Sequence, residues 1–460
     1  MSLRLGFCEE EITPERPVPL VGFYREDDTS RGVLKPLLAQ VSVWEEWSGK
    51  SREEAGTLLE RCVLIAIDSI GFTTELTKAL RDQVGGELGI SREKVMVCFS
   101  HTHAAPDAEA AEGYFDFARK KVLSAAKKAL DGMDWVKVRC ENGRAQIGVN
   151  RRAGNDALDD RVGILEAFGE LEERRLMILR VTAHGNVLKA DNYLVSPDYF
   201  GDVREVLSEK YGCPAMMIQG AAGNVAPKYF CSKNTPVDAQ GPSFFRSENA
   251  LAMMAQELCR SVETAILERI PETSGENANA NEGPTLQAYS KELTLRSVLP
   301  SMGRAKEIAA EAMEKCRIDG TDWLAELERL YAQGISVQEE KAEVQYFRIA
   351  RFCLCGMAYE LMTEFALAAA EGLKNEFFYL NGYTNGILSY FPTKEEYDLG
   401  GYEVYWSLLI YHKAFHRVFP FEREEADKVT EFVMQNAPTG RTKNKASGKN
   451  MVGEKIPLTL

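Results

Sequence analysis

The segment VMVCFSHTH, residues 95–103, is the part of the chain that indicates both a fold and a candidate site. The apolar run from Val95 to Phe99 predicts a buried strand that ends at a polar edge. Side chains two residues apart on a strand point to the same side, so His101 and His103 can face one pocket. Such strand ends are where α/β proteins usually build sites, and imidazole is the commonest metal ligand. Taken alone, the segment fits a metal site and a pair of ordinary loop histidines equally well.

Strands and helices alternate on both sides of this segment. The predicted strands are 62–67, 136–138, 146–149, 161–168, 176–182 and 215–218, and the predicted helices are 74–84, 115–130 and 247–267. A further helix is expected to begin with Ser196 as its N-cap and Pro197 as its first residue. This alternation predicts an α/β fold with a mixed, largely parallel sheet flanked by helices.

The second half of the chain follows a polar stretch rich in chain-breaking residues. We predict strands at 286–299, 344–354 and 377–380, and helical segments at 304–341 and 360–372. The expected organisation is a metal-binding α/β core over 1–270, a linker or loop at 271–285 and a smaller C-terminal α+β part of the same catalytic unit at 286–435. The basic tail 436–460 is expected to be mobile.

Composition limits the classes of partner. The formal net charge of −14 argues against general nucleic-acid binding, and we expect no stable membrane association. No secretory signal or membrane-spanning apolar stretch is recognisable. The ten cysteines form no CxxC pair, which favours reduced, mostly buried thiols and a cytoplasmic location. A small-molecule substrate is therefore the expected partner, and the sequence gives no oligomeric state.

Other candidate residues also follow predicted strands. His184 comes directly after strand 176–182, where a further imidazole would add to a metal site. Arg151 follows strand 146–149, where it would bind a carboxylate or stabilise an oxyanion. The structural alternative for His184 is a loop histidine with its hydrogen bonds satisfied, and the alternative for Arg151 is a surface ion pair. The small residues of 219–227 fit a close approach to a ligand or a tight turn, but they match no phosphate-binding or nucleophile-elbow motif.

In this order, the motifs resemble the catalytic N-terminal domain of the neutral (non-lysosomal) ceramidase family. They are EITP at 11–14, PLVGF at 19–23, RGV at 31–33, SHTH at 100–103, NR at 150–151, His184, SPDYFG at 196–201, QGAAGNVAP at 219–227, YFPT at 390–393 and GYE at 401–403. The set runs through most of the chain, which would make this protein a divergent cytosolic member.

The resemblance implies a zinc-dependent hydrolase of an amide bond. It implies one Zn²⁺ with four ligands, His101, His184, Glu360 and Tyr390. It also implies three catalytic residues, His103, Arg151 and Tyr402. In that scheme a metal-activated water is the nucleophile, His103 carries the proton, and the other two stabilise the oxyanion.

This sequence departs from the family pattern at several positions. The family has Pro-Gly-Glu where this chain has Ala-Tyr-Glu at 358–360, so Glu364 is an alternative ligand. The family's essential serine is Ala226 here, and its His-Pro is His184-Gly185. The sequence also stops where ceramidases continue into an immunoglobulin-like domain. We therefore expect a soluble, non-ceramide substrate, and a catalytically silent binding homologue or a metal-dependent esterase remains an alternative.

Overall fold

A computed structural model describes residues 2–49, 56–228, 248–269 and 286–438 of the chain. The strands are β1 Ser2–Glu11, β2 Leu38–Trp47, β3 Leu58–Ile67, β4 Val95–Phe99, β5 Asp134–Arg144, β6 Gly148–Asn150, β7 Arg161–Phe168, β8 Arg174–Val181, β9 Ala215–Gln219, β10 Val225–Pro227, β11 Leu286–Val298, β12 Val337–Ile349, β13 Phe352–Gly356, β14 Glu360–Leu361, β15 Phe378–Asn381 and β16 Tyr390–Phe391. The α-helices are α1 Thr74–Leu88, α2 Tyr114–Asp131, α3 Tyr199–Tyr211, α4 Glu248–Leu267, α5 Met302–Cys316, α6 Thr321–Ala332, α7 Thr363–Leu373, α8 Glu396–Leu399, α9 Ser407–Phe415 and α10 Glu425–Gln435. A 3₁₀ turn at Arg92–Lys94 and a π-helix at Tyr402–Trp406 complete the set.

Eight strands form the main sheet, in the order β4-β3-β2-β1-β5-β7-β8-β9. The predicted mixed α/β fold is confirmed, but the expectation that the sheet would be largely parallel is wrong. Only the outer pairs β3–β4 and β8–β9 are parallel, and every pair between them is antiparallel. The difference arises because β1 and β2, which the sequence analysis missed, lie in the middle of the sheet. Antiparallel neighbours also allow short connections, such as the tight turn between β7 and β8.

The main sheet has helices on one face and a second sheet on the other. Helices α1 and α2 bury apolar side chains against the β1–β4 half, and α3 and α4 do so against the β7–β9 half. The opposite face packs against the second sheet, whose strand order is β11-β12-β13-β15. The far side of that sheet is covered by α7 and α10. The edge strands β4 and β9 contact each other, so the main sheet is curved and its two ends meet.

Several predicted elements differ from the observed ones. Helix α3 begins at Tyr199, not at Pro197, because Asp198 is its N-cap and accepts the Tyr199 N–H. Segment 304–341 is not one helical stretch: α5 and α6 are separated near Gly320, and β12, which begins at Val337, is a strand paired with β11. The predicted strand 344–354 is divided into β12 and β13 by a turn.

Glu360 lies outside the helix predicted for 360–372. It belongs to the short strand β14, and α7 begins only at Thr363. By contrast, β4 and β7 have the predicted bounds. The linker at 271–285 lies outside the described residues, as does the tail from residue 439 onward, so the proposed division of the chain stays a prediction.

The state of the cysteines and the character of the helices are two further features of the described residues. Nine cysteines are described, and all nine are free thiols; seven of them are buried, Cys62, Cys98, Cys140, Cys213, Cys259, Cys353 and Cys355. This agrees with the expected reduced thiols. Over the described ranges, no helix combines the length and the apolar character needed to cross a bilayer.

Candidate metal centre

Two loops that leave the main sheet carry three of the predicted site residues. The loop after β4 contains His101 and His103, and the loop after β8 contains His184. The curvature of the sheet brings these loops together, and the His103 N–H donates to the Gly185 carbonyl at 3.1 Å. All three histidines are buried, with 2%, 9% and 0% exposure respectively.

Each imidazole is oriented by a backbone carbonyl. The Nδ1 atoms donate to the oxygens of Ile70 for His101 (2.7 Å), Gly22 for His103 (3.0 Å) and Ala222 for His184 (3.0 Å). A carbonyl only accepts, so Nδ1 carries a proton, and in the neutral ring Nε2 then keeps its lone pair. Metal-binding histidines are commonly fixed in this way.

The free Nε2 atoms converge. His101 Nε2 lies 3.1 Å from His184 Nε2, and Glu360 Oε2 lies 3.3 Å and 3.6 Å from them. His103 Nε2 is buried and has no hydrogen-bond partner in the described part of the chain. The ligand atoms of the three histidines lie within 4.8 Å of one another. When both rings are neutral, these tautomers leave two lone pairs facing each other, and a shared cation would relieve their repulsion. The donor set therefore fits a borderline metal ion such as Zn²⁺.

Glu360 and Tyr390 come to the site as a strand pair. Strands β14 and β16 are parallel, and these two residues are direct partners in their register. The backbones of Gly223 and Glu360 pack closely here, since a Cβ on Gly223 would lie 2.4 Å from the Glu360 carbonyl oxygen. The alternative ligand Glu364 is engaged elsewhere, because its carboxylate accepts hydrogen bonds from Asn224 (2.9 Å) and Asn155 (2.6 Å).

Arg151 and Tyr402 both lie beside Tyr390. The Arg151 guanidinium donates to the Tyr390 hydroxyl (3.2 Å) and to the Gly223 carbonyl (2.6 Å), and it forms an ion pair with Glu403 at 2.9 Å. Tyr402 is the first residue of the π-helix, and its ring centroid lies 5.9 Å from that of Tyr390. Single-turn π-helices occur frequently at functional sites.

A pocket of about 160 Å³ opens onto these groups. Five of the seven predicted site residues line it: His101, His103, Glu360, Tyr390 and Tyr402. The other two lie directly behind, His184 against His101 and Arg151 against Tyr390. Much of the remaining wall is apolar, formed by Val21, Ile70, Ala108, Ile387, Ala414 and Phe415, and Asp107 and Glu109 add carboxylates. The structure thus gathers all seven predicted residues at one place.

Burial sets the protonation states in the pocket. It lowers the pKa of His103 and of His184 well below the usual value. It raises the pKa of the Tyr390 phenol, assisted by the Glu360 carboxylate, and that of Tyr402, assisted by Tyr411. Two imidazoles are therefore neutral near pH 7, and both phenols keep their protons.

The sequence analysis missed Tyr383 and Glu403. The Tyr383 hydroxyl lies 3.5 Å from Glu360 Oε2, and its ring centroid is 4.3 Å from that of His101. Tyr383 follows the predicted strand 377–380, which is the same kind of signal that drew attention to His101. Glu403 pairs with both Arg151 and Arg152, and nothing in its local pattern indicates these partners.

The two departures from the family pattern have structural settings. Ala226 is buried in β10 opposite Val149, and it is not among the described residues that line the pocket. A Cβ at Gly185 would lie 2.8 Å from the His101 carbonyl oxygen, so the close packing of the two histidine-bearing loops favours glycine there.

Comparison with known proteins gives structural neighbours only. No family model matches the sequence, and no curated protein matches it at a significant level. Among solved structures, neutral ceramidase from Pseudomonas aeruginosa is similar with a TM-score of 0.65 and 17% identity, over 95% of this chain and 75% of that one. A structure described as ceramidase complexed with C2 has a TM-score of 0.62 and 17% identity, over 88% of this chain and 71% of that one. The protein therefore has a ceramidase-like fold.

Proposed function

We propose that the protein is a zinc-dependent hydrolase that cleaves an amide bond in a compact small-molecule substrate. The observation that carries this proposal is the convergence of His101 Nε2, His184 Nε2 and Glu360 Oε2, with separations of 3.1, 3.3 and 3.6 Å. The ceramidase-like fold supports the reaction class, because solved structures that share it are described as ceramidases.

The proposed ligands of a single zinc ion are His101, His184, Glu360 and Tyr390. When bound, zinc supplies a Lewis acid and brings the pKa of a coordinated water down toward neutrality. Two imidazoles, a carboxylate and a phenol oxygen are acceptable ligands for this ion. Tyr390 would bind through an oxygen that Arg151 also contacts at 3.2 Å, and a bound cation together with this guanidinium would offset the burial that raises the pKa of the phenol.

His103 is the proposed proton carrier. Its Nδ1 proton is donated to Gly22, which leaves the neutral Nε2, without a hydrogen-bond partner, free to accept a proton from the attacking water. The same nitrogen would then protonate the leaving amine. A side chain whose pKa is lowered by burial gives up its proton readily, which suits the protonation of the leaving amine.

Arg151 and Tyr402 are the proposed stabilisers of the tetrahedral oxyanion. Arg151 keeps its charge at any relevant pH, since Tyr390 and Glu403 outweigh the cost of its burial and raise its pKa. Tyr402 keeps its phenolic proton and lines the pocket, so it is available as a hydrogen-bond donor. Donors fixed in advance around a developing negative charge commonly supply a large part of hydrolytic rate enhancement.

The pocket supports a compact substrate. The cavity volume of about 160 Å³ lies below the roughly 300–1,000 Å³ typical of sites that bind drug-sized ligands. The apolar wall fits a short acyl chain better than the long chains of a ceramide. The free described cysteines favour a cytoplasmic location, where small soluble amides would be the available substrates.

Hydrolysis of a panel of N-acyl amides with increasing chain length tests this proposal. We expect zinc-dependent activity on short-chain amides that a chelator abolishes and added Zn²⁺ restores. His103→Ala should lose activity while keeping the ion, and His416→Asn, at an exposed position outside the pocket, should behave as the unmodified protein. Zinc binding without hydrolysis of any amide would favour the silent homologue, and cleavage of ester analogues alone would favour the esterase.

A further inference from the structure

Residues 196–199, within the SPDYFG motif, lie buried between the two loops that carry the histidines. We call residues 100–104 the first histidine loop and residues 183–188 the second. Ser196, Asp198 and Tyr199 are 0%, 1% and 0% exposed. The side chains in this segment do not line the pocket, so any effect they have on the site passes through the loops.

The Asp198 carboxylate contacts the second histidine loop more than its own helix. Oδ1 accepts from Val187 N (3.2 Å) and Tyr199 N (2.9 Å), and Oδ2 accepts from Leu188 N (3.0 Å). An N-cap side chain ordinarily accepts from the second or third helical residue. Here two of the three donors belong to the loop that follows His184, so capping does not account for the arrangement.

The backbone of Asp198 also differs from that of an ordinary cap. Its φ of 54° and ψ of −150° lie in a region that non-glycine residues rarely adopt. Ser301, which caps α5, has an extended backbone with φ −55° and ψ 150°. Residues in such rare conformations persist where their surroundings over-determine them, and they cluster at functional sites.

The same segment is bound to the first histidine loop. The Ser196 N–H donates to the Ala104 carbonyl at 2.9 Å, and the Thr102 hydroxyl donates to the Ser196 carbonyl at 2.7 Å. On the other side, the Tyr199 hydroxyl donates to the Ala183 carbonyl at 2.7 Å, directly before His184. Three of the four residues in this segment therefore bridge the two loops.

We propose that residues 196–199 form a clamp that sets the spacing between His101 and His184 for a shared metal ion. Asp198 and Tyr199 are positioning residues in this proposal, since they act through the backbone of the second histidine loop. The inference rests on the proposed metal centre. Outer groups that orient metal ligands typically contribute about 10–100-fold to metal affinity.

Titration of the metal-free full chain with Zn²⁺ tests the clamp. Asp198→Ser keeps a good helix cap but cannot reach both loop amides, so zinc affinity should fall by about 10–100-fold. Asp198→Asn should give an intermediate loss of zinc affinity, because its side chain keeps one acceptor oxygen where aspartate has two. Tyr199→Phe should weaken binding to a smaller extent. The matched control is Ser301→Ala, which removes a helix cap far in sequence from both loops and should leave zinc affinity unchanged.

Amide hydrogen exchange in the zinc-free protein provides a second readout. Val187 and Leu188 should exchange faster in Asp198→Ser than in the unmodified chain, and Ser301→Ala should not change them. If Asp198→Ser does not fold, Tyr199→Phe decides, because it removes only the hydroxyl that contacts Ala183.

The outcomes separate the clamp from the proposed function. Unmodified zinc affinity in both Asp198→Ser and Tyr199→Phe, with loss of binding in His184→Ala, overturns the clamp and leaves the metal centre intact. Absence of zinc binding by the unmodified chain overturns the proposed function, and the clamp falls with it.

Discussion

Two buried clusters of ionisable side chains in this protein differ in how completely they are satisfied. In one, Asp159 accepts from Arg161 at 2.7 and 2.9 Å and from Arg180 at 2.7 Å. The remaining guanidinium groups donate to neighbouring carbonyl and amide oxygens, as Arg180 does to Asn381 at 2.8 Å. In the other cluster, the Nε2 atoms of His101 and His184 face each other at 3.1 Å, and His103 Nε2 has no hydrogen-bond partner among the described residues.

The difference separates a structural cluster from a binding site. A saturated ion network joins parts of the fold and has no capacity for a ligand. A cluster whose lone pairs converge around a point requires a cation to complete it, and buried polar groups are otherwise nearly always paired. Burial and perturbed pKa values are common to both clusters, so the unfilled lone pairs are the informative feature.

The largest expected effect is on stability, at the saturated cluster. Asp159→Asn would leave two buried guanidiniums without their carboxylate, and we expect a loss of about 3–5 kcal/mol in the free energy of unfolding. Denaturant unfolding of the metal-free protein measures it. The adjacent Asp160→Asn is the matched control, because Asp160 pairs with the exposed Arg144 and should cost at most about 1 kcal/mol. Equal effects of the two substitutions would contradict the distinction.

The histidine cluster should contribute little to the stability of the zinc-free protein. His184→Ala should leave the stability of the zinc-free protein close to that of the unmodified chain, since it also removes the facing lone pairs. Zinc at a thousand times its dissociation constant should stabilise the unmodified protein by about 4 kcal/mol, and this increment should vanish in the variant. Thermal unfolding with and without Zn²⁺ measures both quantities. Zinc stabilisation that survives in His184→Ala would place the ion elsewhere.

Acid should weaken the saturated cluster over a defined range. Burial alone would raise the pKa of Asp159, but Arg180 and Arg161 outweigh it and lower the pKa from 3.8 to about 2. Because the folded-state pKa is depressed, the stabilisation is present above pH 3.8 and is lost as pH falls toward 2. The amount is about 2 kcal/mol. The pH slope of unfolding between 4 and 2 should be shallower in Asp159→Asn, and identical slopes would refute this assignment.

The smallest expected effect concerns Ala226, the family's serine position. Ala226→Ser places a hydroxyl in the buried strand β10, and we expect a cost of about 1 kcal/mol. Since the side chain does not line the pocket, amide hydrolysis should not increase. Kinetics on the preferred amide and on a ceramide test this, and a gain of ceramide hydrolysis would show that this position reaches the substrate.

The sequence allowed the site to be predicted better than the topology. Apolar runs such as 95–99 predict buried strands, and polar residues directly after them indicated His101 and His184. Strands β1 and β2 were missed. Both carry glutamates toward their C-terminal ends, and Glu45 in β2 is buried where it pairs with Arg61 and Arg4. Such compensation depends on residues distant in the chain, so local pattern does not predict it.

The C-terminal residues of the site illustrate the same limit. Glu360 was expected in a helix, yet it belongs to a two-residue strand whose pairing with β16 sets it beside Tyr390. The family resemblance named both residues, whereas periodicity alone indicated neither. Tyr383 follows a predicted strand, as His101 does, so its sequence position was a usable signal. Glu403 acts through ion pairs with Arg151 and Arg152, which no local pattern indicates.

Anomalous X-ray scattering at the zinc edge, from crystals of the chain loaded with one equivalent of Zn²⁺, tests the central claim most directly. We predict one ion per chain, about 2.0–2.1 Å from His101 Nε2 and from His184 Nε2, with Glu360 in the same coordination sphere. An anomalous peak away from these atoms would contradict the account. The absence of any peak in crystals of the zinc-loaded chain would contradict it as well.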